Sequence, residues 1–423
     1  MACQAMTADN AESISRQEFL REIESYRAPE RRTQITTRSF NCSDGPAVEM
    51  PVFLNEFWSR RQRAGSSLHR VAYRGAFNGA LPRFFIEHLS RPASTVYDPF
   101  MGRGTSLIEA ALLGRVPLGT DANPLATMIV EALLRPQPLA LWRFRTDWLD
   151  VRPSLDKVPE AVRNIFHPQT LYDLCSMRQC LLEQQHEGEL DPVYRWNRML
   201  VLTSLAGPRS GYLLGPSLHA NTPMLPTRFW RPPAPSNCQL PRKELVDCLR
   251  LRSESLTATL DGWQRRVMEA VVPKSGLLTA RADSTSSIAS GSVSLIVTGP
   301  PGLRPYDYGR ENWLRCWFVQ VDPQSVHVSA HRELDTWCQE ITAVFVEFYR
   351  VLKPGGYCVI DLGRLRPRKI RWDQAVLDCT LLAGFEPIGI LINTSHYGKA
   401  LFERPFIPRE SVFDEVLVMI KPN

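Results

Sequence analysis

Two carboxylates and two glycines in one short stretch carry the clearest chemical signal in the 423-residue chain. The stretch reads Asp98-Pro99-Phe100-Met101-Gly102-Arg103-Gly104-Thr105, and further on Asp121-Ala122-Asn123-Pro124. A short apolar run ends at Asp98, a turn holds Gly102 and Gly104, and a helical pattern runs from Thr105 to Leu113. A second apolar run, Val116 to Gly119, leads to Asp121. This order predicts a βαβ unit whose glycines let a ligand approach the backbone at a helix N-terminus. The spacing is not GxGxxG, and an acid before the glycines would repel a pyrophosphate. Asp98 suits a cationic ligand, and Asp121 suits the two hydroxyls of a ribose. A nucleoside with a positive charge and no phosphate satisfies both acids, which points to S-adenosylmethionine.

The elements that must position these residues are legible from periodicity. Strand patterns return at Gly276–Arg281, which leads to Asp283, and at Ser292–Thr298, which ends in Gly299-Pro300-Pro301-Gly302. A helix is expected over Leu334–Val351, then a stop at Lys353-Pro354-Gly355-Gly356 and a strand to Asp361. Two more strands are expected at Pro387–Asn393 and Phe413–Ile420. Alternating strands and helices predict an α/β fold, a doubly wound and mostly parallel sheet of Rossmann-like type. Between its second and third strands, helical periodicity in 161–185, 192–205 and 242–271 predicts a helical insertion. The division expected is residues 1–70 as an N-terminal helix and polar arm, 71–138 and 273–423 as the main domain, and 139–272 as the insertion.

Bulk properties narrow the class. Hydrophobic residues at 44% and charged residues at 22% describe a globular chain, and the net charge of +6 permits a polyanionic partner. No apolar run is long enough to span a bilayer and no signal peptide is recognised, so a cytoplasmic protein without membrane contact is expected. The ten cysteines form no CxxC pair and read as reduced thiols. His327 and His331 lie four apart with no evident third ligand, so no metal is expected.

The four strand ends, Asp98, Asp121, Asp283 and the Gly-Pro-Pro-Gly turn, must converge on one crevice at the carboxyl edge of the sheet. Taken in order, they resemble the S-adenosylmethionine-dependent DNA amino-methyltransferases, which modify cytosine N4 or adenine N6. The segment Asp98 to Thr105 resembles that family's first cofactor motif. The resemblance implies cofactor contacts at Phe77, Asn78, Asp98, Phe100, Gly102, Gly104, Thr105, Asp121, Asn123, Asp283 and Ser284. It puts the catalytic turn at Gly299, Pro300, Pro301 and Gly302, with Tyr306 and Tyr308 in the following loop. It also implies base flipping, double-stranded DNA as the partner with RNA as the alternative, and association with restriction or defence proteins.

The chain departs from the family at the turn itself, where the pattern is (Asp/Asn/Ser)-Pro-Pro-(Tyr/Phe/Trp). Gly299 removes the side-chain acceptor for the target amine and Gly302 removes the ring that stacks on the base. Tyr306 or Tyr308 is a candidate replacement ring, and the target base stays open. Three functions remain: a DNA amino-methyltransferase, an RNA amino-methyltransferase, and an inactive relative that binds DNA or cofactor. For nucleic acid, the candidates are Arg364, Arg366, Arg368, Lys369 and Arg371 after the strand to Asp361. Arg209 and Arg228 lie in a Gly/Pro-rich run, 207–241, that is a candidate for target reading. Trp313, Trp317 and Phe318 read as core.

Overall fold

The computed structural model describes residues 14–28, 31–41, 46–58, 65–71, 78–138, 147–188, 190–205, 213, 240–303, 307–329, 331–364, 371–394 and 414–423. Nine strands form one sheet: β1 Gln34–Phe40, β2 Val48–Asn55, β3 Thr95–Asp98, β4 Val116–Asp121, β5 Gly276–Thr279, β6 Val293–Thr298, β7 Leu352–Arg364, β8 Glu386–Asn393 and β9 Asp414–Ile420. Their spatial order is β1-β2-β8-β9-β7-β6-β3-β4-β5. β5, β4, β3, β6 and β7 are parallel neighbours. β9 runs against both β7 and β8, and β2 lies parallel to β8 with β1 reversed at the edge. The fold is therefore the mostly parallel, doubly wound sheet the sequence predicts. The chain winds outward through β3, β4 and β5, then returns to β6 on the other flank of β3. That reversal makes the gap between the β3 and β6 tips the switch point where ligands bind in such sheets.

Helices cover both faces: α1 Arg16–Ser25, α2 Ala80–Leu89, α3 Thr105–Leu112, α4 Pro124–Leu134, α5 Pro168–Glu187, α6 Pro192–Ser204, α7 Leu245–Thr257, α8 Gly262–Val271, α9 Tyr308–Val319, α10 Leu334–Val351 and α11 Trp372–Leu382. Asn123 caps α4 ahead of Pro124, and Asp191 caps α6 ahead of Pro192, which is why these helices start where they do. The insertion helices do not stand apart. Leu174, Trp196, Leu200 and Leu249 share one core with Leu107, Ile129 and Leu133 of α3 and α4. Trp196 Nε1 donates to Ser253 Oγ at 3.0 Å, tying α6 to α7 in that core.

The N-terminal arm differs from the sequence reading. α1 forms as expected, but Gln34–Phe40 and Val48–Asn55 are sheet strands rather than a polar segment. β2 buries Met50, Val52, Phe53 and Leu54 and pairs with β8, more than 300 residues along the chain. Pro51 sits inside that run and argues locally against a strand; burial against β8 outweighs the local signal.

Candidate active site

Asp98 closes β3 and is 1% exposed. Its Oδ1 accepts from the Phe100 amide at 3.1 Å and from Thr298 Oγ1 at 2.6 Å, and its Oδ2 accepts from Ser106 Oγ at 2.8 Å. Burial pushes its pKa up to about 6 against these three bonds. The carboxylate is thus occupied by the protein, which corrects the reading of Asp98 as an open anion for a cationic ligand. It instead fixes the loop after β3 and clamps the tip of β6 to it across the switch point.

The loop itself is built on two left-handed glycines, Gly102 with φ +48° and Gly104 with φ +77°. A Cβ at Gly104 would lie 2.7 Å from Val130 Cγ2 of α4, so the position is closed to larger residues. Gly119 has a parallel role in β4, where a Cβ would meet Leu107 at 2.4 Å. The loop can therefore lie directly on the tip of β4. There Asp121 Oδ2 accepts from the Gly102 amide at 2.9 Å and Oδ1 from the Asn123 amide at 2.8 Å. Asp121 is half-buried, and burial raises its pKa to about 6. A carboxylate at a strand tip, beside a glycine loop and with lone pairs left over from its two amide bonds, fits a nucleoside ribose. Hydroxyls donating to Asp121 favour its charged form. Affinity for such a nucleoside is accordingly expected to fall as pH drops through about 6. Titration calorimetry between pH 5 and 8 checks this, and Asp121→Asn should flatten the dependence.

Around that centre the predicted residues separate. Thr105 is buried at the start of α3. Phe100 is half-buried and packs edge-on against Phe348 of α10, with ring centroids 6.4 Å apart. Asn78 is exposed and accepts from the Ala80 amide at 3.3 Å, at the start of α2. Asp283 lies beyond the tip of β5 and is held by Arg281 through two bonds of 3.0 and 2.6 Å, which hold its pKa below the ordinary carboxylate value. Ser284, next to it, is exposed.

The turn after β6 is held from the other side. Trp337 of α10, 3% exposed, donates its indole N–H to the Pro301 carbonyl at 2.7 Å and meets Trp372 edge-on at 4.9 Å. Gly299, Pro300 and Pro301 are half-buried and Gly302 is exposed. A Cβ at Gly302 would meet nothing within 4 Å. Tyr308 does not replace the missing ring. It is 4% exposed and donates its hydroxyl to Asn123 Oδ1 at 2.7 Å, so its ring belongs to the seam between α9 and α4. That corrects the expectation of a stacking role.

Arg371 is exposed, pairs with Asp373 at 3.0 Å and lies over the Phe40 ring. Arg364 ends β7. Phe77, Tyr306, Arg209, Arg228, Arg366, Arg368 and Lys369 lie outside the described residues. Trp317 and Phe318 pack against or within the insertion core, as expected, with Arg178 over the Trp317 ring. His331 pairs with Glu340, and among the described residues no cluster of three His, Cys, Asp or Glu side chains is arranged to hold a metal. Among those residues, too, no helix is long and apolar enough to cross a membrane.

Sequence reasoning missed Arg103 and Thr298. Arg103 donates to Thr105 Oγ1 at 3.1 Å and to the His69 and Val71 carbonyls at 3.0 and 3.1 Å, fastening the preceding segment to the glycine loop. Thr298 reads as the last residue of a strand; its bond to Asp98 depends on two strand tips meeting 200 residues apart in sequence.

Residues 15–131 match the family model described as DNA methylase. A 53-residue stretch is 47% identical to the type II methyltransferase M.MvaI of Kocuria varians, covering 12% of each protein. A 93-residue stretch is 29% identical to the type II methyltransferase M.MjaII of Methanocaldococcus jannaschii, covering 22% of this chain and 17% of that protein. The matched stretches thus span less than a fifth of either relative's length. Among solved structures, a putative DNA modification methylase of Thermus thermophilus complexed with S-adenosylmethionine overlaps at TM-score 0.22 and 20% identity, over 33% of this chain and 51% of that one. The rRNA methyltransferase aviRa of Streptomyces viridochromogenes overlaps at 0.32 and 13% identity, over 84% and 89%.

Proposed function

We infer that this chain, whose residues 15–131 match the DNA methylase family, transfers a methyl group from S-adenosylmethionine to an exocyclic amine of a DNA base. When bound, the cofactor supplies an activated methyl group on a positively charged sulfur. The residues of the chain bind, orient and exclude water. The reading assigns the ribose hydroxyls to Asp121 and the approach of the methionine end to the backbone of Gly102 and Gly104. The reading also assigns cofactor contacts to Thr105, Phe100 and Asn78, with Asn123 holding the loop after Asp121. Asp283 and Ser284 are assigned to the adenine side, where the base amine would compete with Arg281 for the Asp283 carboxylate.

The observation that carries this reading is the bond between Thr298 and Asp98. It locks the loop after β3 to the Pro-Pro turn, so a donor methyl and an acceptor amine brought to the two loops meet in one geometry. Holding two reactants in line supplies much of the acceleration when the methyl is already activated. The target amine is presented at Gly299, Pro300, Pro301 and Gly302, with the base flipped out of double-stranded DNA. The insertion, 139–272, and the basic segment after β7 are assigned to the duplex. A cytoplasmic setting and a restriction or defence partner accompany that assignment.

Purified protein incubated with tritiated cofactor and unmodified DNA is expected to label the DNA, and to label RNA poorly. Preferential labelling of RNA would move the substrate class. A second reading rests on Gly299 and Gly302: a chain that binds cofactor and DNA without transfer. Cofactor binding with no label in either nucleic acid would establish it.

A further inference from the structure

Gly299 leaves the turn after β6 without a side-chain acceptor, yet a carboxylate stands beside it on the neighbouring strand. β6 and β7 run parallel, and their register pairs Val297 with Val359 and Thr298 with Ile360. The ladder ends there; continued by one residue, the same register would set Gly299 beside Asp361. Aligned residues on adjacent strands lie about 4.8 Å apart, and side chains alternate between faces with a period of two. Leu295, Val297, Tyr357 and Val359 pack in one cluster with Val416, the residue that β9 pairs with Asp361. The Asp361 side chain therefore leaves the sheet on the face where a side chain at position 299 would project.

Asp361 is half-buried. Among the described residues its donor is the Gly363 amide, at 3.0 Å from Oδ1, which leaves Oδ2 to accept from a ligand. Gly363 holds φ +69° at an irregularity in β7, where pairing with β9 shifts register between Asp361–Val416 and Arg364–Asp414. Burial, reinforced by Asp414, raises the carboxyl to about 6 against the Gly363 bond. That makes Asp361 a stronger proton acceptor than an ordinary surface carboxylate while leaving it charged at neutral pH.

We propose that Asp361 supplies the acceptor that Gly299 lacks, taking a hydrogen bond from the target amine. The proposal rests on the methyltransferase reading above. In the transfer, the amine nitrogen forms a bond to the methyl carbon. The carbon–sulfur bond breaks, its electron pair stays on sulfur, and a neutral thioether leaves. The methylated nitrogen then gives up its extra proton to the Asp361 carboxylate, which releases it to water.

Methyl transfer to DNA is measured at saturating cofactor for the wild type, Asp361→Asn, Gly299→Asp and the double variant. Cofactor affinity by calorimetry and thermal unfolding are followed in parallel. Asp361→Asn is expected to lower kcat by about 10²–10³-fold, the scale of one preorganised hydrogen-bonding partner, with cofactor affinity retained. Gly299→Asp alone is expected to slow transfer, because two carboxylates sharing one site cannot both stay ionised. In the Asp361→Asn background the same change is expected to restore transfer. An active wild type with an equally active Asp361→Asn overturns the assignment and leaves the methyltransferase reading intact. So does acceleration by Gly299→Asp alone, a test that stands even if Asp361→Asn does not fold. Cofactor binding by a wild type that labels no nucleic acid overturns both together.

Discussion

Asp98→Ala is expected to destabilise the protein by about 2–5 kcal/mol, because it leaves buried donors without an acceptor at a cost of ~1–3 kcal/mol each. The donors are the Phe100 amide and the Thr298 hydroxyl; Ser106 Oγ retains a second acceptor, the Val297 carbonyl at 3.0 Å. The carboxylate also bears a desolvation penalty, seen in its pKa of about 6, and that penalty is relieved in the variant. The net loss is therefore smaller than the sum of the broken bonds. Asp98→Asn preserves shape and should cost less. Urea unfolding measures both. Asp98→Ala is further expected to impair methyl transfer more than cofactor binding, since the Thr298 clamp governs how the two loops face one another. An Asp98→Ala protein of unchanged stability would mean that the clamp contributes nothing.

Gly302→Tyr is expected to raise kcat/KM for DNA by about 5- to 150-fold, the equivalent of the ~1–3 kcal/mol that stacking of one base contributes. The position is exposed, and a Cβ there meets nothing within 4 Å, so a side chain can start from it without a clash. The Trp337 bond to the Pro301 carbonyl keeps the preceding residue in position. Gly302→Leu fills the same space without a π face and separates stacking from bulk. Steady-state kinetics with DNA as the varied substrate decides the matter. No gain from tyrosine would show that the base does not lie over this turn.

The legible parts of the fold are those whose evidence is local. Apolar runs ending at Asp98, Asp121 and Thr298 marked strands because each is bounded by glycine, proline or a helix cap. The helix Leu334–Val351 was readable to its last residue, because a stop signal and a buried strand follow it. β1 and β2 were not readable, since β1 pairs only with β2, the partner that β2 finds in β8 is remote in sequence, and Pro51 obscures the pattern. Side-chain wiring was the least legible. Spacing puts Asp98 beside a ligand loop, but it does not show that Thr298 and Ser106 consume the carboxylate. Tyr308 follows a catalytic-type turn, yet its bond to Asn123 carries it into the core. Asp361 was visible as a strand end, while its alignment with Gly299 depends on the register of β6 and β7.

The decisive measurement is the chemical identity of the product. DNA incubated with the protein and cofactor is digested to nucleosides and analysed by mass spectrometry. N4-methylcytosine or N6-methyladenine is expected, formed by the wild type and greatly reduced in Asp121→Ala. A methyl group on a ring carbon, or the same yield from Asp121→Ala at limiting cofactor, would contradict the assignment.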